Sequence, residues 1–309
     1  MAAMKTKYIL AAIAASLLLT GCFQDVHEIV PGEDVGYLTP VLKWANPSDA
    51  GTEIHDLLVV VDGEGESYTR HYASAEEFAS EPLDVSVGEH NILVLANATE
   101  ADGYQVSGLP PTKYTMTEAM LTIGDDSPVQ NCYAAISPVT LKSGELKTPE
   151  FSLRPVLPSL EMRMSNIPED LKVLAVQGDV AAGVRLVEQG GRVGVGSTEQ
   201  LEYRVLGLVD GTPSTVLTLP TVAGKTESTI TFEVFEPDPT VKPASIKPRQ
   251  GMVEYALILA FVVKLDVPLE CGLNHKIEMD FNSMVPEMHL SSYSISDWEV
   301  GFTYNGRVY

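Results

Sequence analysis

Short apolar runs separated by turn residues fill the chain from residue 37 onward. Runs rich in Val, Leu, Ile, Tyr and Thr cover 37–44, 57–61, 83–87, 92–96, 133–141 and 150–153. They are bounded by turn formers such as Asn46-Pro47-Ser48-Asp49, Asp62-Gly63 and Gly88-Glu89. A second set covers 160–164, 171–176, 184–187, 201–205, 215–219, 229–235, 253–265, 276–281 and 298–304. Runs of this length and spacing predict the strands of a sandwich or barrel. Between the sets, Arg154-Pro155-Val156-Leu157-Pro158 carries two prolines, which stiffen the link and exclude a helix or central strand; the domain boundary is expected here. The other proline-rich segment, 236–248, reads as an excursion between strands. Helical signal is sparse. Ser74 followed by Glu76 and Glu77 predicts one or two turns over 74–79, and 112–123 reads as a second short helix.

The N-terminus has a different pattern. Lys5 and Lys7 precede an uncharged apolar run over 8–19, the two regions of an export signal, and the run is too short to span a bilayer. It stops at Leu19-Thr20-Gly21-Cys22, which resembles the bacterial lipobox and marks Cys22 as the lipid-attachment residue. Two or three acyl chains on Cys22 would hold the protein on a membrane nearly permanently. Phe23 rather than Asp follows the cysteine, so the inner-membrane retention signal is absent and the outer membrane is favoured, with the chain expected at the cell surface. The expected organisation is a signal peptide over 1–21, a lipidated linker over 22–36, a first β-sandwich over 37–154 and a second over 155–309.

Charge narrows the partners. The chain carries 20 Lys+Arg against 42 Asp+Glu, a net charge of −22, and loss of the signal peptide removes two lysines and no acid. Such a field repels phosphate backbones, so nucleic acid is not expected as a partner. Apart from Cys22 only Cys132 and Cys271 remain. Export permits a disulfide, but on the partition above the two lie in different domains, so a bridge would require them to meet at an interface; two separately buried thiols are the simpler expectation.

No motif announces chemistry. Asp62-Gly63-Glu64-Gly65-Glu66 has alternating acids like the start of a calcium loop, but Ala73 stands where the bidentate Glu is needed, and a hairpin turn fits better. Gly191 to Gly196 has its glycines in the wrong order for a dinucleotide fingerprint and is expected to be a loop. The six histidines, at 27, 55, 71, 90, 275 and 289, show no ligand spacing, and no Gly-x-Ser-x-Gly elbow occurs. The sequence points to no enzyme, no catalytic residue, no metal site and no cofactor.

Three stretches carry a family resemblance. Leu83-Asp84-Val85-Ser86-Val87-Gly88-Glu89-His90-Asn91-Ile92-Leu93-Val94-Leu95-Ala96-Asn97 resembles the strand, Gly-containing turn and Asn-terminated strand in the first domain of Bacteroidetes fimbrial anchor and minor-fimbrillin lipoproteins. Leu153-Arg154-Pro155 followed by Ser159-Leu160-Glu161-Met162 is similar to that family's link into its second domain. Leu269-Glu270-Cys271-Gly272, the strand over 276–281 and Ile295-Ser296-Asp297-Trp298 are similar to its closing pattern. The resemblance implies two tandem transthyretin-like or Ig-like β-sandwiches and a role in type V fimbriae assembled by strand donation between subunits. In that scheme stalk subunits are cleaved after a basic residue ahead of the first strand. Here no Lys or Arg lies between Cys22 and Lys43, which favours a retained anchor or base subunit over a polymerising stalk subunit.

The C-terminus offers a physical counterpart. Trp298, Val300, Phe302 and Tyr304 alternate with Glu299, Gly301, Thr303 and Asn305, placing four large side chains on one face of a strand. That strand is expected to pair within its own domain or with another subunit by β-augmentation. The alternative function is a surface glycan-binding lipoprotein of a polysaccharide-uptake system. Sugar platforms use exposed aromatics, whereas Trp44 and Trp298 both fall in strands.

Overall fold

The computed structural model describes residues 34–63, 66–109, 116–123, 130–187, 193–237 and 255–281, and the backbone of 289–297 and 303–305. Its first strands are β1 (Val35–Leu38), β2 (Val41–Trp44), β3 (Leu57–Gly63) and β4 (Glu66–Tyr72), followed by helix α1 (Ala75–Ser80). Next come β5 (Leu83–Ser86), β6 (Gly88–Ala96), β7 (Tyr104–Ser107), β8 (Met120–Ile123), β9 (Tyr133–Leu141), β10 (Leu146–Lys147) and β11 (Glu150–Pro155). The all-β expectation is met.

A six-stranded sheet ordered β2-β11-β9-β6-β3-β4 forms the centre of this half. Its strands β3 and β6 are buried on both faces, which is why their sequences, Leu57-Leu58-Val59-Val60-Val61 and Ile92-Leu93-Val94-Leu95-Ala96, are continuously apolar rather than alternating. One face carries Leu57, Val59, Val61, Ile92 and Val94 into a core closed by the three-stranded sheet β10-β1-β5 and by Phe78 of α1. Ser74 caps that helix by accepting from the Glu77 amide at 3.2 Å, as its sequence predicts. The opposite face carries Leu58, Val60, Leu93, Leu95 and Ala134 into a second core.

The chain continues with β12 (Ser159–Ser165), β13 (Lys172–Gly178), β14 (Val184–Val187), β15 (Val193–Gly196), β16 (Arg204–Val209), β17 (Ser214–Leu217), β18 (Ser228–Pro237), β19 (Tyr255–Leu265), β20 (Leu273–Asp280), β21 (His289–Asp297) and β22 (Thr303–Asn305). A five-stranded sheet ordered β17-β12-β20-β21-β22 and a four-stranded sheet ordered β16-β13-β18-β19 enclose a third core. Leu160, Met162 and Met164 of β12 meet Val173, Phe232 and Val234 of the other sheet there.

The remaining sheet, β15-β14-β8-β7, takes two strands from each side of Arg154–Pro158. Val184 pairs with Leu121 and Arg185 with Met120, so the proline segment sits beside a ladder that crosses it. The second core is likewise shared: Leu58, Leu93 and Leu121 pack with Val156, Leu157, Val184 and Leu186.

Several elements differ from expectation. The run 37–44 is two strands, because the chain bends at Thr39-Pro40 and passes from the three-stranded to the six-stranded sheet. Over 112–123 the expected helix is absent from the described residues; Met116–Glu118 makes a single 3-10 turn and Met120–Ile123 is a strand, held by pairing to β7 and β14. The expected loop over 191–196 contains strand β15. A Cβ at Gly196 would lie 2.3 Å from the Thr221 carbonyl oxygen, so its glycine permits close backbone approach. Pro155 ends an interior strand at its last residue, opposite Tyr133.

Candidate functional site

Cys22, Trp298, Val300 and Phe302 lie outside the described residues. Tyr304 lies in β22, whose backbone pairs with β21 at Ile295, inside the chain's own five-stranded sheet. Trp44 packs edge-on against Tyr133, with ring centroids 4.9 Å apart, and is half-buried, which places it in the wall of the first core.

The joint between the halves forms a cleft of about 660 Å³. One side is the outer face of β9 and β11, with Ile136, Ser152 and Arg154; the other is second-half backbone around Gly194, Thr221 and Glu270. The volume suits a small ligand. Two of its lining charges are ion-paired: Glu150 with Lys43 at 2.6 Å, and Lys225 with Asp179 at 3.7 Å. No aromatic side chain lines it among the described residues, so it lacks a stacking surface for sugar rings.

Cys132 and Cys271 belong to one apolar cluster at this joint, although they come from opposite sides of Arg154–Pro158. They are unbridged thiols; Cys132 is buried and Cys271 half-buried in the cleft wall. Burial pushes the Cys132 thiol well above its ordinary range, with Tyr104 as its hydrogen-bond neighbour.

The titratable groups elsewhere have structural roles. His55 Nε2 contacts Asp102 at 3.0 Å, and Asp102 in turn accepts from Thr99 Oγ1 at 2.6 Å. The carboxylate sits between the imidazole and the hydroxyl, so the imidazole is not placed to activate that hydroxyl. Asp102 instead completes the capping box of the turn over Glu100–Asp102. Burial is the largest influence on Asp102 and raises its pKa, but hydrogen bonds from Thr99 and His55 outweigh it and hold the carboxyl below its usual range. His275 is buried, and burial lowers its pKa to about 4. Among the described residues no group of three or more His, Cys, Asp or Glu could hold a metal, and no helix is long and apolar enough to cross a membrane.

The sheet edges differ in how they are protected. β4 carries Ser67, Thr69, Arg70 and His71, and Arg70 pairs with Glu81. β9 pairs with β11 only at Ala134 and Tyr133; further along, Pro138 has no N–H and the Thr140 carbonyl accepts from the Lys147 ammonium. Such prolines and lysines blunt an edge against foreign strands. β19 has no comparable protection among the described residues: its eleven residues contain one charge, Lys264, and expose Leu257, Ile258 and Val262.

Comparison with protein-family models gives no match, and comparison with curated proteins gives none either. Solved structures do match along nearly their whole length. The fimbrial anchor protein Mfa2 from Porphyromonas gingivalis superposes with a TM-score of 0.52 at 11% identity, covering 88% of this chain and 100% of that one. A candidate adhesin from Bacteroides ovatus gives 0.51 at 11% identity, covering 91% and 97%. A candidate polysaccharide-binding protein from Bacteroides thetaiotaomicron gives 0.51 at 9% identity, covering 88% and 98%. The chain has the fold these Bacteroidetes proteins share, in agreement with the resemblance in its sequence.

Proposed function

We propose that the protein is a non-enzymatic surface lipoprotein, a fimbrial anchor or minor fimbrial subunit, held on the outer membrane by acyl chains on Cys22 and binding other subunits by strand complementation. The observation that carries this is the end-to-end correspondence with the fimbrial anchor fold, whose full length is matched. Three features of the chain support it: the lipobox at Cys22, the absence of Lys or Arg between Cys22 and Lys43, and the apolar alternation of Trp298, Val300, Phe302 and Tyr304.

The alternative is a glycan-binding lipoprotein, favoured by the likeness to the candidate polysaccharide-binding protein. Against it, Trp44 is packed against Tyr133 and the joint cleft has no aromatic lining among the described residues.

The test is a pull-down from detergent-solubilised outer membrane combined with intact-mass analysis. Fimbrial subunits that co-purify with a form acylated at Cys22 would support the proposal. An unacylated mature form, or a glycan array with strong hits and no co-purifying subunit, would overturn it.

A further inference from the structure

We propose that the outer edge of β19 is the docking site for an extended segment of a different protein, neutral to basic in charge and apolar at alternate positions, which joins the sheet as an added strand. This rests on the strand-pairing function proposed above and names the surface that performs it.

β19 ends the sheet order β16-β13-β18-β19, and among the described residues nothing pairs with its second edge. A bulge sets Ile258 aside where Val234 pairs with Leu259 and Phe235 with Leu257; from Leu259 to Leu265 the ladder to β18 is then regular. That run contains neither Pro nor Gly, and its single charge, Lys264, lies next to its end. Val262 is 56% exposed and Ile258 47%. Phe261 stacks on Phe232 with centroids 5.1 Å apart and is only half-buried, so part of an aromatic ring remains open to solvent at the edge.

A long, regular, apolar edge is a template for backbone pairing; among the described residues the other edges are four residues or fewer, polar as in β4, guarded by Pro138 and Lys147, or, in the six-residue β16, interrupted by Gly207 and a register shift. Charge selects the occupant. At a net −22 a second copy of this chain is repelled, whereas a neutral or basic strand is not. Its apolar positions would extend the row formed by Leu259, Phe261 and Val263, its backbone satisfying the open edge.

The mature full-length protein can be titrated with a fluorescent peptide of about ten residues that alternates valine and threonine between terminal lysines. A control peptide is N-methylated on the amides of one edge. The expected result is saturable binding to wild type, weakened roughly tenfold or more by N-methylation and by Val262→Lys, with hydrogen-exchange protection appearing over 259–265. The N-methyl control leaves the protein unaltered, so it decides the matter even if Val262→Lys disturbs folding. Equal binding of both peptides, or protection elsewhere, overturns the proposal. If wild type and Val262→Lys retain fimbrial subunits equally in the pull-down, the edge assignment fails while the fimbrial function stands. If the peptide binds at β19 but no subunit is retained by either, the edge stands and the fimbrial function fails.

Discussion

Val184 and Leu121 are antiparallel partners in one ladder, although Arg154–Pro158 separates them in sequence. The cluster around them mixes Leu58, Leu93 and Leu121 with Val156, Leu157 and Leu186, all essentially inaccessible to solvent. Neither half can expose its side of this core without uncovering the other's. We therefore expect denaturation to follow one transition when monitored both by tryptophan fluorescence and by circular dichroism. Leu121→Ala should cost roughly 2–5 kcal/mol, since it removes a fully buried side chain from the shared core. Two well-separated transitions, or a stably folded fragment ending at residue 154, would show that the joint does not couple the halves.

The sequence patterns that were legible are those in which burial dictates residue type directly. Leu57 to Val61 and Ile92 to Ala96 could be read as strands because both faces are buried and every position must be apolar. Ser67 to His71 gives no such signal, since β4 lies at a sheet edge and, apart from Tyr68 and Tyr72, which pack on the first core, its side chains are polar. Met120 to Ile123 misled, because Thr, Glu, Ala, Met and Leu are compatible with a helix; only pairing with the distant Val184 and Arg185 fixes them as a strand. The cleft, and the β19 edge that no described residue pairs with, leave no mark in the sequence for a related reason. An apolar strand reads the same whether or not its second edge has a neighbour.

Stability should decline in acid because of His275. Burial holds its folded pKa at about 4, below the ordinary 6.5, so as pH falls the unfolded chain takes up the proton first. The folded state therefore loses stability progressively between about pH 6.5 and pH 4, and levels off for this group below that. The loss is on the order of 3 kcal/mol. Chemical denaturation across this range should show the decline, and His275→Leu should flatten it. An unchanged slope in that variant would place the acid sensitivity elsewhere.

The two thiols at the joint should differ in reactivity. Cys132 is fully buried with its ionisation suppressed by burial, while Cys271 lines the cleft and is half-buried. Brief treatment of the native protein with N-ethylmaleimide should label Cys271 ahead of Cys132, and denaturant should make both react. Peptide mass mapping reads the order directly. Labelling of Cys132 first would contradict the burial described here.

Asn97 shows what the Asn that ends β6's apolar run does physically. It is buried, with φ of 55°, a left-handed conformation that Asn tolerates better than most residues. Its Oδ1 accepts from the His55 amide at 3.0 Å and its Nδ2 donates to the Glu53 carbonyl at 2.8 Å, so one side chain fixes the loop leading into β3. Asn97→Ala removes both hydrogen bonds and adds backbone strain, and should destabilise by roughly 2–4 kcal/mol. Asn97→Gly removes the same hydrogen bonds but relieves the strain, so it should be the milder of the two by about 1 kcal/mol. Thermal unfolding of the pair separates the contributions: if alanine proves no worse than glycine, the conformation at residue 97 is not left-handed and its role reduces to hydrogen bonding alone.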